Sequence, residues 1–420
     1  MTNSPALPVS GKLPSLPLSD RAAQILTTEL TRDRGPKTGL LLDVTPDSPV
    51  LAAVLDGLLP GDRLTIVGAE QASALRAHLT SLGSWVAERV QIVDSLAEAE
   101  AADVVIIGAP VDGAAEETRE RLAELGKYLA DGAVLCVATA AFGGGSAAAE
   151  LERQAALFGV GSDLVLRQRP PVRVHRLRYT EASPATADRL APAARTSSVP
   201  LTRNMHIDSN GVAAAGIALG IAGLMRAGRR SRRLWWAPAL AAPAVAAFFR
   251  DPQRDVPEDR SAIVAASDGR VLAVERITDD RFGPENEYLR IAVFLSVLDV
   301  HVNRSPVAGR VVDYFVTDGG FAAAMKPGAE HNVAAYTVLD TTAGRVVVAQ
   351  RTGLIARRIV QRAPIGALLA RGERFGLIRF GSRTDIYLPA ETARVVVAPG
   401  DRVLGGNTVV AHWIATPAGA

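Results

Sequence analysis

The most informative stretch of the chain is an eleven-residue segment that reads Glu373-Arg374-Phe375-Gly376-Leu377-Ile378-Arg379-Phe380-Gly381-Ser382-Arg383. It follows a series of short valine-rich runs that are punctuated by glycine, namely Arg270–Ile277, Tyr288–Leu295, Gly309–Thr317, Val333–Leu339 and Arg345–Gln350. Short runs of β-branched and aromatic residues bounded by turn residues are typical of strands. The sequence therefore predicts a compact β-rich domain with few helices over residues 255–420.

Two uncharged apolar stretches precede this domain, Gly211–Met225 and Leu234–Phe249. Five arginines separate them and two tryptophans follow, the full set being Arg226, Arg229, Arg230, Arg232, Arg233, Trp235 and Trp236. Arginine favours anionic headgroups and indole favours the membrane interface. At 15 and 16 residues the stretches are shorter than the roughly 20 of a spanning helix. We therefore predict a membrane-associating hydrophobic hairpin over residues 206–254, the alternative being a buried helix pair that covers the next domain.

The N-terminal part alternates five apolar runs with segments rich in Ala, Leu and Glu, the runs being Gly39–Val44, Arg63–Val67, Val90–Val93, Asp103–Ile107 and Ala133–Ala138. Such alternation predicts an open, mostly parallel sheet with crossover helices. Two further runs without a helix between them, Ser162–Arg167 and Pro171–Tyr179, predict a closing antiparallel pair. We expect an α/β domain over residues 21–180, a flexible lead over 1–20 and a linker rich in Ala, Pro, Ser and Thr over 181–205.

This order of units resembles the class I methyltransferase fold. In that family a glycine-rich turn after the first strand lets the backbone approach S-adenosylmethionine, whereas the turn here reads Leu42-Asp43-Val44-Thr45-Pro46-Asp47-Ser48-Pro49. Its prolines remove donors and restrict the turn. Glu70 stands where the family would hold the ribose. The sequence favours a scaffold or interaction domain here over one that binds S-adenosylmethionine.

The composition excludes several classes of function. The chain has 46 basic and 44 acidic residues, a formal net charge of +2, which argues against a globally basic nucleic-acid binder. Its single cysteine, Cys136, excludes an internal disulfide and a cysteine-based metal cage, and it fits a reducing compartment; we expect no metal site. Lys326 is the one lysine in the β-rich region, so a pyridoxal enzyme would find few partners for its Schiff base.

Four local clusters carry the candidate chemistry of the second half: Phe248-Phe249-Arg250-Asp251-Pro252, Ser267-Asp268-Gly269, Asp299-Val300-His301-Val302-Asn303-Arg304-Ser305-Pro306 and Phe380-Gly381-Ser382-Arg383-Thr384-Asp385. Each has an ordinary structural explanation by itself, such as a turn or a core histidine. In this order and after an apolar lead, they resemble the short form of the phosphatidylserine decarboxylase family over about residues 205–415.

The resemblance implies a proenzyme that cuts its own backbone between Gly381 and Ser382 and converts Ser382 into a pyruvoyl cofactor. A serine hydroxyl needs a base, and a histidine oriented by a carboxylate is a common one; His301 and Asp268 match the family positions for these roles. The pyruvoyl ketone would form a Schiff base with phosphatidylserine, and loss of carbon dioxide would give phosphatidylethanolamine.

The substrate class implied by the resemblance requires cations and a membrane. Arg304, Arg357, Arg358 and Arg383 are candidates for phosphate or carboxylate contact, since guanidinium offers a bidentate fork. Arg304 replaces a second histidine of the longer family members, and His331 is a candidate second acid or base. We expect the protein to lie at the cytoplasmic face of the cell membrane, attached either peripherally or through the hairpin. The expected partners are phosphatidylserine, an anionic membrane surface and the protein's own two cleavage chains, without nucleic acid.

Three alternatives remain open at this point. A pyruvoyl-dependent decarboxylase could act on a soluble amino acid. The β-rich region could instead be a biotinyl-carrier-like binding module, because Ala324-Met325-Lys326 resembles the modified-lysine turn of such carriers, although Pro327 departs from their pattern. The N-terminal domain could also be an active methyltransferase in either case.

Overall fold

The computed structural model describes residues 17–193, 198–228, 234–283, 287–353, 358–378 and 382–414. The chain divides into two compact units, Met1–Ala182 and Ser183–Ala420. The division falls two residues after the predicted end of the α/β domain at residue 180.

The first unit alternates helices and strands. Its helices are α1 Asp20–Leu26, α2 Thr28–Thr31, α3 Pro49–Asp56, α4 Ala72–Ser81, α5 Ser84–Ala87, α6 Ala115–Gly126 and α7 Gly145–Phe158, with short 3₁₀ helices at Ala69–Gln71 and Leu96–Glu98. Its strands are β1 Thr38–Leu42, β2 Arg63–Val67, β3 Val90–Val93, β4 Ala102–Ile107, β5 Leu129–Ala140, β6 Gly159–Val165 and β7 Val172–Leu177.

These strands form one seven-stranded sheet in the order β3-β2-β1-β4-β5-β7-β6. The first five strands pair in parallel, and β7 pairs antiparallel with both β5 and β6. Two apolar clusters, which include Leu41 and Ile106 in one and Leu40 and Val105 in the other, cover its faces. Both the parallel sheet and the closing antiparallel pair predicted from the sequence are confirmed.

The described end of the predicted lead belongs to the packed unit. Leu18 is buried, and the Ser19 hydroxyl accepts a hydrogen bond from the Ala22 amide at the start of α1. The Ser19 amide also donates to Oε1 of Gln168 at 2.7 Å. A capping serine and one buried leucine therefore attach residues 18–20 to the unit, while residues 1–16 lie outside the described part of the chain.

The second unit is dominated by strands. Its helices are α8 Pro184–Ala187, α9 Ser209–Ala227 and α10 Trp236–Phe248, with a 3₁₀ helix at Pro327–His331. Its first strands are β8 Ser198–Thr202, β9 Met205–Asp208, β10 Arg250–Pro252, β11 Ala262–Val264, β12 Gly269–Thr278, β13 Glu287–Leu295, β14 Val302–Arg304, β15 Gly309–Thr317 and β16 Ala334–Thr341. The remaining strands are β17 Gly344–Arg351, β18 Ile359–Gln361, β19 Leu368–Leu369, β20 Arg374–Ile378, β21 Ser382–Pro389, β22 Ala393–Val395, β23 Arg402–Val403 and β24 Val409–Trp413.

The strands of this unit form antiparallel sheets. The largest has eight strands in the order β19-β15-β16-β17-β21-β13-β12-β23, and three-stranded sheets have the orders β14-β20-β18, β11-β24-β22 and β10-β9-β8. An apolar cluster that includes Ile291, Val348, Phe375 and Ile386 draws residues from the eight-stranded sheet and from β20. The predicted β-rich fold is confirmed, and each of the five predicted valine-rich strands is present.

The predicted linker over residues 181–205 contains regular structure. Besides α8, it includes β8, which pairs antiparallel with β9 as an edge strand of its sheet. Pro200 lies within β8, and a sheet edge is where a strand tolerates proline because one side of it needs no ladder hydrogen bond. The linker prediction rested on composition, which does not register this pairing with the next segment.

The predicted hydrophobic hairpin is present as two packed helices, α9 and α10. Its base is closed because β9 and β10 pair antiparallel, with Arg250 opposite Ile207. The helix α9 has 19 residues, more than the apolar run alone, because Asp208 caps it by accepting a hydrogen bond from the Asn210 amide. Among the described residues, α9 is the one helix long and apolar enough to cross a membrane, and 11% of its apolar window is buried.

Candidate active site

Ser382 is the first residue of β21 and pairs with Leu295 of β13. Its side chain is fully buried, and its Oγ has no hydrogen-bond partner among the described residues. A buried hydroxyl without a partner is rare in folded proteins and calls for a functional explanation. Gly381, the predicted residue before the cut, lies outside the described residues together with 379 and 380.

A group of buried polar side chains lies next to this serine along β21. Thr384 lies two residues along β21 and therefore on the same face as Ser382, and its hydroxyl is 2.5 Å from the Ser267 hydroxyl. Gln350 of β17 is directly opposite Thr384 and donates through Nε2 to Oδ1 of Asn303 at 2.7 Å. Asn303 Nδ2 and Gln350 Oε1 are buried and lack partners among the described residues. No role for Gln350, Asn303 or Thr384 was predicted from the sequence, although polar side chains at fully buried strand positions are themselves a signal.

His301 lies in the short segment before β14 and is buried. Its Nδ1 is 2.9 Å from the Asp299 carbonyl, and its ring centroid is 4.2 Å from that of Phe248 at the end of α10. Burial lowers the pKa of His301 to about 4, so the imidazole is neutral at pH 7. Since a carbonyl can only accept, Nδ1 carries the proton and Nε2 is the basic nitrogen. The Ile378 amide donates to the His301 carbonyl at 3.2 Å, which brings the histidine to the strand end that precedes residues 379–381.

The hydrogen bonds of the Asp268 carboxylate go to residues other than His301 in the described part of the chain. Its carboxylate accepts hydrogen bonds from Arg254 Nη2 at 2.7 Å and from the Gly405 amide at 2.8 Å, while the Asp299 carbonyl is at Nδ1 of His301. Burial raises the pKa of Asp268, and this effect outweighs the positive charge of Arg254, which by itself lowers the pKa. The orienting group for the imidazole is thus a backbone carbonyl, and a role for Asp268 in the chemistry stays a prediction.

Two of the arginines predicted to contact substrate are buried in ion pairs. Arg304 Nη2 is 3.3 Å from Oδ1 of Asp251 and donates to the Pro252 carbonyl at 2.8 Å. Arg383 forms a fork with Asp385, with Nε 2.5 Å from Oδ1 and Nη2 3.1 Å from Oδ2. These contacts give both guanidinium groups a structural role that the sequence did not predict.

The other predicted substrate-binding residues are exposed or not described. Arg358 is exposed. The side chain of His331 is 83% exposed and its Nε2 is 3.7 Å from Oε1 of Glu330. Arg357 lies outside the described residues. The structure therefore brings together Ser382 with the polar groups of β17 and β21 and places His301 at the neighbouring strand end, while Arg358 and His331 lie on the surface.

Asp385 is the centre of a buried charge network next to the candidate site. Arg351 Nε donates to its Oδ2 at 2.7 Å, and Arg351 Nη2 reaches the hydroxyls of Tyr336 and Tyr387 at 3.0 and 2.8 Å. Burial alone would raise the pKa of Asp385, but the charges of Arg351 and Arg383 hold it below its ordinary value. The network fixes the strand that begins at Ser382.

Replacing Asp385 with alanine is expected to lower the free energy of unfolding by about 3–5 kcal/mol, because it leaves two buried guanidinium groups without their carboxylate. Urea unfolding followed by tryptophan fluorescence measures the change. Asp313→Ala removes an exposed carboxylate from β15 and is the matched control, with an expected loss below about 0.5 kcal/mol. Equal losses in the two variants would contradict a stabilising role for the network.

The turn after β1 decides whether the first unit can hold S-adenosylmethionine as methyltransferases do. Asp43 has a φ of 54°, and its carboxylate is ion-paired with Arg121 of α6. The side chain of Val44 lies directly against Gly108, the residue after β4. A side chain at position 108 would have its Cβ only 2.4 Å from Cγ1 of Val44, so there is no open space here. No glycine-rich turn opens above β1, and the side chain of Glu70 is exposed. The residues present do not fit this cofactor.

Comparison with known proteins identifies the second unit. The family model for phosphatidylserine decarboxylase matches residues 242–411. Similar relatives include the phosphatidylserine decarboxylase proenzyme of Symbiobacterium thermophilum, 48% identical over 165 residues, which are 39% of this chain and 76% of that one. The proenzyme of Desulfotalea psychrophila is 44% identical over 169 residues, 40% and 78% of the two chains. The chain belongs to the phosphatidylserine decarboxylase family, so the biotinyl-carrier alternative is not retained.

Among solved structures, the chain is similar to the C-terminal domain of precorrin-6Y C5,15-methyltransferase from Rhodobacter capsulatus. The identity is 14% and the TM-score 0.31, with 43% of this chain and all of that one covered. The O-methyltransferase TomG from Streptomyces achromogenes is 16% identical with a TM-score of 0.29, over 39% and 82% of the two chains.

Proposed function

We propose that this protein is a pyruvoyl-dependent phosphatidylserine decarboxylase that makes its own pyruvoyl group by cutting the backbone between Gly381 and Ser382. The observation that carries the proposal is the buried hydroxyl of Ser382, which has no hydrogen-bond partner among the described residues and lies inside the segment that matches the family. A serine held in this way fits the precursor of a pyruvoyl group.

The residues around Ser382 account for self-cleavage as follows. The Oγ of Ser382 attacks the carbonyl carbon of Gly381, and its proton passes to Nε2 of His301. The bond from that carbon to the Ser382 nitrogen breaks, the proton moves to the leaving nitrogen, and an ester joins the two parts of the chain. Loss of the α-proton of residue 382 then eliminates Gly381 as a free carboxylate, which cuts the chain, and water converts the remaining dehydroalanine into the pyruvoyl ketone with release of ammonia. The Asp299 carbonyl at Nδ1 keeps the lone pair on Nε2, and the lowered pKa keeps the ring neutral, as a general base requires.

Decarboxylation uses the same buried space. A pyruvoyl group at position 382 would supply a ketone that can bind the substrate amine and act as an electron sink for the loss of carbon dioxide. Asn303 and Gln350 contribute an unpaired amide N–H and an unpaired amide oxygen to this space, which suit the carboxylate and the amine of a serine headgroup respectively. The surrounding strands exclude water, which strengthens these hydrogen bonds.

The hairpin of α9 and α10 supports membrane association. Ile217, Leu224 and Leu240 are 66%, 76% and 66% exposed, so the helices present apolar surface that the unit itself does not bury. The Arg226 guanidinium lies 5.2 Å from the ring centroid of Trp235, an arginine–indole pair of the kind that suits a lipid headgroup region. We assign the enzyme to the cytoplasmic face of the cell membrane, with its hairpin in the lipid and an anionic surface as its partner.

The test is to measure the intact mass of the purified, denatured protein and to assay it with two substrates. We expect two chains separated before residue 382, and phosphatidylethanolamine from vesicles that contain phosphatidylserine. Free serine is expected to release little carbon dioxide, because it offers no acyl chains to the membrane-bound enzyme. A folded but uncut chain would overturn the proposal, and activity on free serine alone would favour the soluble-substrate alternative.

A further inference from the structure

A four-residue turn, Ser296–Asp299, joins β13 to the histidine segment. The Asp299 amide donates to the Ser296 carbonyl at 3.0 Å, and Oδ2 of Asp299 accepts from the amide and the hydroxyl of Ser296 at 2.8 and 2.7 Å. Three hydrogen bonds between the two end residues fix the turn. Its two central residues, Val297 and Leu298, therefore have a defined position at the tip.

The composition of this tip is unusual for a turn. Turn centres favour Gly, Pro, Asn, Asp and Ser, whereas this one carries two large aliphatic side chains, Val297 and Leu298, that are 51% and 82% exposed. Contiguous exposed apolar surface in a soluble fold marks a contact with a partner or a membrane. The turn needs neither side chain for its own geometry, since its hydrogen bonds come from Ser296 and Asp299.

The tip lies next to the base of the hairpin, where α10 ends and β10 begins. Arg250 donates through Nη1 to the carbonyl of Ala247 in α10 at 3.3 Å and through Nη2 to the carbonyl of Leu298. On the inner side, the Asp299 carbonyl is at Nδ1 of His301, whose ring packs on Phe248 of α10. The turn, the hairpin end and the candidate catalytic histidine thus form one packed group.

We propose that the Val297–Leu298 tip inserts into the lipid bilayer as a second membrane contact, next to the hairpin, and places His301 at the lipid surface. Continuity with the apolar hairpin selects a bilayer over a protein as the occupant. Charge agrees with this choice, because Arg250 and the 71%-exposed Arg402, which pairs with Asp299 at 3.1 Å, flank the tip with cations that suit anionic headgroups. The inference rests on the proposed function in that the substrate is a bilayer lipid.

The test compares the double variant Val297→Ser, Leu298→Ser with the control Ile365→Ser, Val396→Ser. The control residues are 56% and 50% exposed and lie in other loops of the same unit. Cosedimentation with vesicles of phosphatidylserine and phosphatidylcholine is expected to show a loss of affinity on the order of tenfold or more for the double variant and none for the control. The ratio of the rate on vesicles to the rate on short-chain, detergent-dispersed phosphatidylserine should fall in parallel. A Leu298→Trp variant should bind vesicles as wild type does and show a blue-shifted emission on binding.

Vesicle affinity of the double variant equal to that of the control overturns the proposal. So does a change in oligomeric state without a change in vesicle binding, because it would make the tip a protein contact. Failure of the decarboxylase assignment gives a different pattern, in which the wild type binds vesicles through the tip but is neither cut nor active.

Discussion

Replacing Ser382 with alanine is expected to leave the chain in one piece and to reduce phosphatidylethanolamine formation below detection. Alanine has no hydroxyl to attack the preceding carbonyl, so neither the cut nor the ketone needed for catalysis can form. Intact mass under denaturing conditions reports the cut, and product formation from phosphatidylserine vesicles reports catalysis. Because the lost Oγ has no partner among the described residues, the variant should fold as well as the wild type.

The matched control for this substitution is Thr337→Val. Thr337 is a buried residue of β16 in the same eight-stranded sheet, and its hydroxyl accepts a hydrogen bond from Gln361. The control is expected to be cut completely despite the loss of a buried hydroxyl. A cut before residue 382 in Ser382→Ala would contradict self-processing by this serine and would point to an external protease.

Replacing His301 with alanine is expected to slow self-cleavage by about 10²–10⁴-fold, the usual contribution of a general base. In the wild type, the pKa of His301, lowered by burial to about 4, predicts a cleavage rate that is nearly constant from pH 8 to about pH 5. The rate should fall as the pH approaches 4, because the protonated ring cannot accept the serine proton. Time courses of freshly refolded chain at several pH values measure both effects.

Two other histidines serve as comparisons. His331→Ala is expected to cut at nearly the wild-type rate, since that side chain is 83% exposed, and His78→Ala in α4 of the first unit controls for the loss of any imidazole. If His331→Ala slows cleavage as much as His301→Ala does, the assignment of the base to His301 is wrong.

The sequence predicted the positions of the strands better than their lengths. Arg63–Val67 and Val90–Val93 were predicted with the bounds that the structure has, because short apolar runs between polar segments have local limits. In contrast, β5 extends from Leu129 to Ala140, well beyond its apolar centre. It gains the extra residues by pairing with β4 on one side and with β7 on the other, which local composition does not register.

In the candidate site, too, local features could be predicted from the sequence and long-range contacts could not. Ser382 and His301 could be proposed from the sequence because they belong to recognisable local motifs. The hydrogen bond between Gln350 and Asn303 could not be predicted, since it joins residues 47 positions apart, even though Asn303 lies in the same motif as His301. Arg304 and Arg383 were expected to contact the substrate, but a guanidinium in a motif does not reveal which carboxylate it will meet, and here the carboxylates belong to Asp251 and Asp385.

The position of β21 has a consequence for the physical form of the mature protein. This strand lies between β17 and β13 inside the eight-stranded sheet, and the segment that follows it adds β23 to the same sheet and β22 and β24 to another. A cut before Ser382 would therefore give two fragments whose strands pair with each other in the same sheets. Without the other fragment, the strands of each would lose backbone hydrogen-bond partners. The mature protein should behave as a fragment-complemented pair that migrates as one particle until a denaturant separates it, and the smaller fragment alone should have no folded state to return to.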